Sequence, residues 1–132
     1  MKKIATILRW VAAAILLQTL FFKFTGAEES KFIFSSLGVE PFGRWFAGIS
    51  ELIAVFLLLI PSTRLYGAVM SIGIMAGAIL SHLAVLGIVV QDDGGLLFAL
   101  ACIVAVASAL SLLIERQELK QEVQRWLPQR GV

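Results

Sequence analysis

Apolar residues come along this chain in four long blocks, separated by short polar breaks. The blocks run over about 4–24, 42–60, 65–87 and 94–114. Each is close to the roughly 20 residues that carry a helix across the hydrocarbon of a bilayer. The breaks are made of turn chemistry. Pro41 and Gly43 mark the start of the second block and Pro61 its end, "PSTR" joins it to the third, and "VVQDDGG" separates the third from the fourth. Connections this short make sequential helices antiparallel neighbours. The pattern predicts one all-α domain, an integral membrane four-helix bundle running up-down-up-down.

Two further segments are amphipathic. Over about 27–37, Glu28 and Glu29 suit the first turn of a helix, Phe32, Ile33 and Leu37 follow, and Gly38 is a stop signal. A short helix is expected there, lying on the outer surface or capping the bundle. Over about 115–127, Leu119, Val123, Trp126 and Leu127 share one helical face. This segment is expected to continue the fourth helix and then lie along the cytoplasmic surface, with Trp126 near the headgroups.

Composition changes the solvent rather than the elements. Of the 132 residues 59% are hydrophobic and only 15% charged, with a mean hydropathy of +0.92. Soluble domains are nearer 45–50% apolar and about 25% charged. The lipid bilayer is therefore the expected first partner. A net charge of +2 with no basic stripe interleaved with aromatics excludes nucleic acid. The basic residues instead report direction. Lys2, Lys3, Arg9, Arg64, Arg116, Lys120, Arg125 and Arg130 fall on one side of the predicted bundle, and Lys23, Lys31 and Arg44 on the other. The first group is expected in the cytoplasm, with both termini. A competing reading takes the N-terminal block as a cleaved signal peptide ending at "TGA". Lys23 and the bulky Phe21, Phe22 and Phe24 speak against it. The single cysteine, Cys102, sits in an apolar run and reads as a small hydrophobe.

Few polar residues interrupt the blocks, and they converge in depth. Glu51 lies about nine residues into the second helix, roughly 13 Å below its start. His82 is about five residues from the outer end of the third helix, and the first carries Gln18 and Lys23. All four fall in the outer half of the membrane on three helices. Glu51 shares a stripe with the small residues Ala47, Gly48 and Ala54, and His82 with Ser71, Met75 and Ala78. Small faces let helices approach closely, so both groups should point inward. Phe46, Ile49, Phe56 and Ile60 are left for lipid.

Intramembrane ionisable residues default to a functional hypothesis. Structural roles stand beside it: Glu51 as a hydrogen-bonded pin, His82 as a satisfied interior histidine, Lys23 as an interfacial anchor, and Gln18 as interhelical glue. One histidine and no cysteine pair fall short of a metal site. Ser50 or Ser81 beside His82 lacks the strand-turn-helix setting of a hydrolase nucleophile.

These residues resemble a family. "FFKFTG" closing the first block, an amphipathic stretch ending "LGVEPF", then "GISELIAVFLLLIPSTRLYGAVMSIGIMAGAILSHL" resemble the DoxX family of small four-helix bacterial membrane proteins, over about residues 5–115. Lys23, Glu51, the "PSTRLYGA" turn and His82 carry the likeness. The resemblance implies a location in the bacterial inner membrane and a link to redox systems, since relatives include a subunit associated with a terminal oxidase and the membrane part of a thiosulfate:quinone oxidoreductase. A partner subunit supplies part of the chemistry there. The lone Cys102 departs from relatives that use paired cysteines.

Three functions follow as expectations. In the first, a quinone head group sits between the helices, Glu51 and His82 exchange protons with it, and Lys23 draws in an anionic reductant. In the second, the same pocket binds a small amphiphile without chemistry, with Gln18, Glu51 and His82 in its wall and Lys23 and Arg44 at its mouth. In the third, the chain is an assembly subunit whose amphipathic helices dock a protein partner, or a second copy of itself.

Overall fold

The computed structural model describes residues 2–90 and 93–127; Arg130, counted above for topology, and Gln91 and Asp92 of the "VVQDDGG" break lie outside them. Within these residues the chain is helical, with no strand. Helix α1 spans Lys2–Thr25, α2 Glu28–Ser36, α3 Phe42–Leu59, α4 Arg64–Ser81, α5 Leu96–Ile114 and α6 Arg116–Trp126. A single 3₁₀ turn, Pro61–Thr63, joins α3 to α4, and α4 widens into a π-helical turn over His82–Leu86. Four segments are long and apolar enough to cross a membrane: α1, α3, Pro61–Leu86 and α5.

The four long helices close into a ring, α1 packing on α3 and α5, and α4 on the same two. Their shared core is built from small side chains. Ala12, Ala54 and Ala68 are almost completely buried, with Leu16, Leu58 and Val104 filling between them. Gly67 shows how close the backbones come: a Cβ there would lie 2.4 Å from the Leu58 amide nitrogen. The large hydrophobes point outward. Phe21, Phe42, Phe46, Phe56 and Leu80 are all more than half exposed. This inside-out distribution is what small-residue helix packing in an apolar solvent produces.

Local chemistry sets the helix ends. Thr63 Oγ1 donates to the Leu57 carbonyl at 3.0 Å, covering an acceptor left open where Pro61 stops α3. Helix α2 is bracketed by Gly26 and Gly38, both in the left-handed region at φ 71° and 77°. Such turns favour glycine and fold the short helix back over one end of the ring.

The third apolar helical segment reaches Leu86, its last turn widened from His82 on. One expectation needs correction: α6 is not a continuation of α5. Glu115 leaves the helical region (φ −100°, ψ 29°), and α6 folds back toward the start of α4. There Trp126 Nε1 donates to the Tyr66 hydroxyl at 2.6 Å, and that hydroxyl donates to Glu122 at 2.7 Å. Leu119, Val123, Trp126 and Leu127 do share a face, and it lines a groove against Leu65, Tyr66, Val69 and Met70.

Candidate functional site

Between α1, α3, α4 and α5, under α2, lies a cavity of about 520 Å³. Its wall is mostly apolar, with Ile15, Ile33, Phe46, Ile74, Met75 and Leu97 prominent in it. A volume in the range of about 300–1,000 Å³ with a few convergent polar groups is the usual form of a small-molecule site.

Glu51 is 2% exposed and reaches the cavity from α3. Its Oε1 lies 2.9 Å from Lys23 Nζ, and its Oε2 accepts a hydrogen bond from Thr19 Oγ1 at 3.1 Å. Both partners come from α1, where Thr19 and Lys23 are four residues apart and so share a face. Small residues clear the approach: Gly48 sits against the Phe24 ring, and Ala54 is wholly buried.

His82 opens the π turn after α4 and lines the same cavity, 5% exposed. Its ring lies 5.7 Å from that of Phe98. Nδ1 is 2.8 Å from the Ala78 carbonyl oxygen. Nε2 is buried with no hydrogen-bond partner among the described residues. No hydrogen bond joins His82 to Glu51; the two meet the cavity separately. π-helical turns recur at functional sites because they break the regular ladder and re-aim a side chain.

Two residues expected in the site lie elsewhere. Gln18 is exposed on the outer side of α1 and absent from the cavity wall. One position along a helix is about 100° of rotation, and it is Thr19 that turns inward. Arg44 is buried, but not in the wall. Its Nε donates to Glu40 at 2.8 Å and its Nη1 to the Lys23 carbonyl, so it ties α3 to the end of α1. Neither cation is spare to draw in an anion, since Lys23 is matched by Glu51 and Arg44 by Glu40.

Glu29, like Thr19, is a site residue that sequence reasoning missed. It lines the cavity from α2, and its Oε1 is buried without a partner. Burial, and then the nearby charge of Asp93, push its carboxyl above the usual range. Asp93 itself is drawn below the usual range. Burial alone would raise it, but it accepts hydrogen bonds from the backbone N–H groups of Val90, Gly95 and Leu97, at 3.0, 2.8 and 3.2 Å, and His82 adds to them. Those bonds fix the turn into α5. Cys102 is half-buried on α5 and takes no part in the wall. Among the described residues no group of three or more His, Cys, Asp or Glu side chains could hold a metal ion.

A second polar cluster occupies the other end of α1. Glu115 is 3% exposed and Arg9 7%. Arg9 Nη1 donates to Glu115 Oε1, and Arg64 Nε to Glu115 Oε2 at 2.7 Å. A second nitrogen of each guanidinium also donates, Arg9 Nη2 to the Thr6 hydroxyl and Arg64 Nη1 to the Pro61 carbonyl. No family model, curated protein or solved structure matches this chain.

Proposed function

We propose that this chain is a DoxX-like integral protein of the bacterial inner membrane that holds a small amphiphilic ligand between its helices. One observation carries the reading. An apolar cavity of about 520 Å³ contains a buried Lys23–Glu51 ion pair and a histidine with an open nitrogen. The apolar wall suits a hydrocarbon body and the polar groups a head. Direction is supported by side-chain contacts. Arg9 near the start of α1, Arg64 at the start of α4 and Glu115 after α5 meet, as an up-down-up-down course requires. Lys2, Arg64, Arg116, Lys120 and Arg125 belong to that end, which the positive-inside rule assigns to the cytoplasm.

The test is native mass spectrometry of the detergent-purified protein. The wild type should retain a small amphiphile. Gly77 lines the cavity, and a Cβ there meets nothing within 4 Å. Gly77→Leu should therefore intrude on the cavity, leave the fold intact and sharply reduce retention. Retention unchanged in Gly77→Leu, or none in the wild type, would refute the reading.

A quinone-linked redox subunit is the second reading, favoured by the imidazole and the carboxylate on one cavity. Glu51 and His82 would hold and pass protons at the edge of a quinone head group supplied by the membrane. Here Glu51→Gln should slow quinone reduction in membranes containing the partner subunit. An unchanged rate removes the carboxylate from that role.

A further inference from the structure

The fully buried polar atoms left without a partner in the cavity wall have one sign. A backbone carbonyl oxygen can only accept, so at 2.8 Å from Ala78 O the Nδ1 of His82 carries the hydrogen. In the neutral ring Nε2 is then an acceptor, and it is buried with nothing to accept from. The second open atom, Glu29 Oε1, belongs to a carboxylate and is also an acceptor. It comes from α2, which packs on the π turn carrying His82. Several donors of the wall are turned onto the protein: one Lys23 N–H and the Thr19 hydroxyl onto Glu51, and the Ser81 hydroxyl onto the Gly77 carbonyl, while the Ser30 and Ser50 hydroxyls also line the cavity. Charge points the same way. Lys23 balances Glu51, and Glu29 leaves a surplus negative charge in the wall.

We infer that the ligand presents hydroxyl donors on an apolar body, as an alkylphenol, a hydroquinone or a long-chain alcohol does, and not an anionic head group. The inference rests on the ligand-binding reading and narrows it. A hydroxyl against His82 Nε2 satisfies a buried acceptor that otherwise bears its full desolvation penalty. A carboxylate or sulfate would set lone pairs against both open atoms.

Three probes of one body separate the possibilities: para-octylphenol, its methyl ether, which lacks the donor, and para-octylbenzoate, an anion. Each is titrated calorimetrically into the full chain in detergent at a pH of about 8, above the ordinary ranges of Glu and His. Binding to Gly77→Leu protein is subtracted as micelle background. The phenol should bind about ten-fold tighter than the ether, the scale of one satisfied buried acceptor, and the benzoate weakest. His82→Phe should bring phenol and ether within about two-fold while leaving the ether unchanged. Glu29→Gln, on a different helix, should narrow the gap in part. Equal wild-type affinities for phenol and ether, or a benzoate that binds tightest, would overturn the inference and leave an amphiphile site with another head group. Absence of binding by all three probes would overturn the inference and the ligand-binding reading together. The wild-type comparison decides the matter even where a variant fails to fold.

Discussion

The two ends of the bundle each bury a carboxylate against cations, yet they are built for different ends. Around Glu115, two guanidiniums from α1 and α4 occupy both oxygens, and a second nitrogen of each finds Thr6 or the Pro61 carbonyl. Around Glu51 there is one flexible lysine, one hydroxyl, a space of about 520 Å³, and two buried acceptors with nothing to hold. Forked, rigid guanidiniums suit a lock, whereas a lysine on a mobile stem suits a place that must rearrange. Saturation marks the structural cluster and open valence marks the site; burial and charge alone do not tell them apart.

The largest effect should come from Glu115→Ala. It strands Arg9, which is 7% exposed, without a counter-ion, and removing one partner of a buried pair costs about 3–5 kcal/mol. Glu51→Ala should cost less, because the Lys23 side chain keeps 16% exposure and can withdraw along its stem. Thermal unfolding of both variants in detergent checks the order, and a larger loss for Glu51→Ala would erase the distinction. The backbone gives a second comparison. Gly67→Ala drives a methyl into the Leu58 backbone at 2.4 Å, whereas Gly48→Ala meets the Phe24 ring at 2.9 Å, and that ring can turn aside. Overpacking against backbone should cost about 1–3 kcal/mol. The Gly48 variant should lose clearly less in the same assay.

A smaller effect sharpens the cavity end alone. Asp93→Ala removes the acceptor of the Gly95 and Leu97 amides at the start of α5, a loss comparable to that of a helix cap, about 1 kcal/mol. Hydrogen exchange should quicken at those two amides and stay unchanged around Arg9 and Glu115. Uniform quickening along the chain would show that the ends are not independent.

How much of this could be read beforehand depended on whether the signal was local. Four spans followed from block lengths alone, and Glu51, His82 and Lys23 stood out as ionisable residues in apolar runs. Thr19 was legible too: it is four residues before Lys23 and so on its face, but the larger amide of Gln18 next to it drew the assignment. Glu29 was not, because nothing in "AEESKF" says that the helix folds over a cavity. Glu115 looked like one more solvated charge in "IERQELKQE". Its burial depends on Arg9, 106 positions earlier, and on Arg64, contacts that only the packed bundle creates. The π turn at His82 left no mark in composition.

The smallest predicted effect concerns proton uptake at the cavity end. Glu29 sits above the ordinary carboxyl range because burial, then Asp93, disfavours its charge. A group raised in the folded state binds its proton there before it does in the unfolded chain. Its penalty on stability is therefore full at neutral pH and fades as pH falls through the raised value. Asp93 runs the other way. Its depressed value gives stability that is present above the ordinary carboxyl range and is lost as pH falls through the folded value. The unfolding temperature of wild type relative to Glu29→Gln should accordingly rise on going from neutral toward mildly acidic pH, because the variant carries no titrating group at that position. The same difference taken between wild type and Asp93→Ala should fall only at stronger acidity. A wild-type-minus-Glu29→Gln difference that stays flat with pH would mean Glu29 carries its charge without penalty. The acceptor facing the cavity would then be already satisfied, and the contrast between a saturated end and an open one would rest on His82 alone.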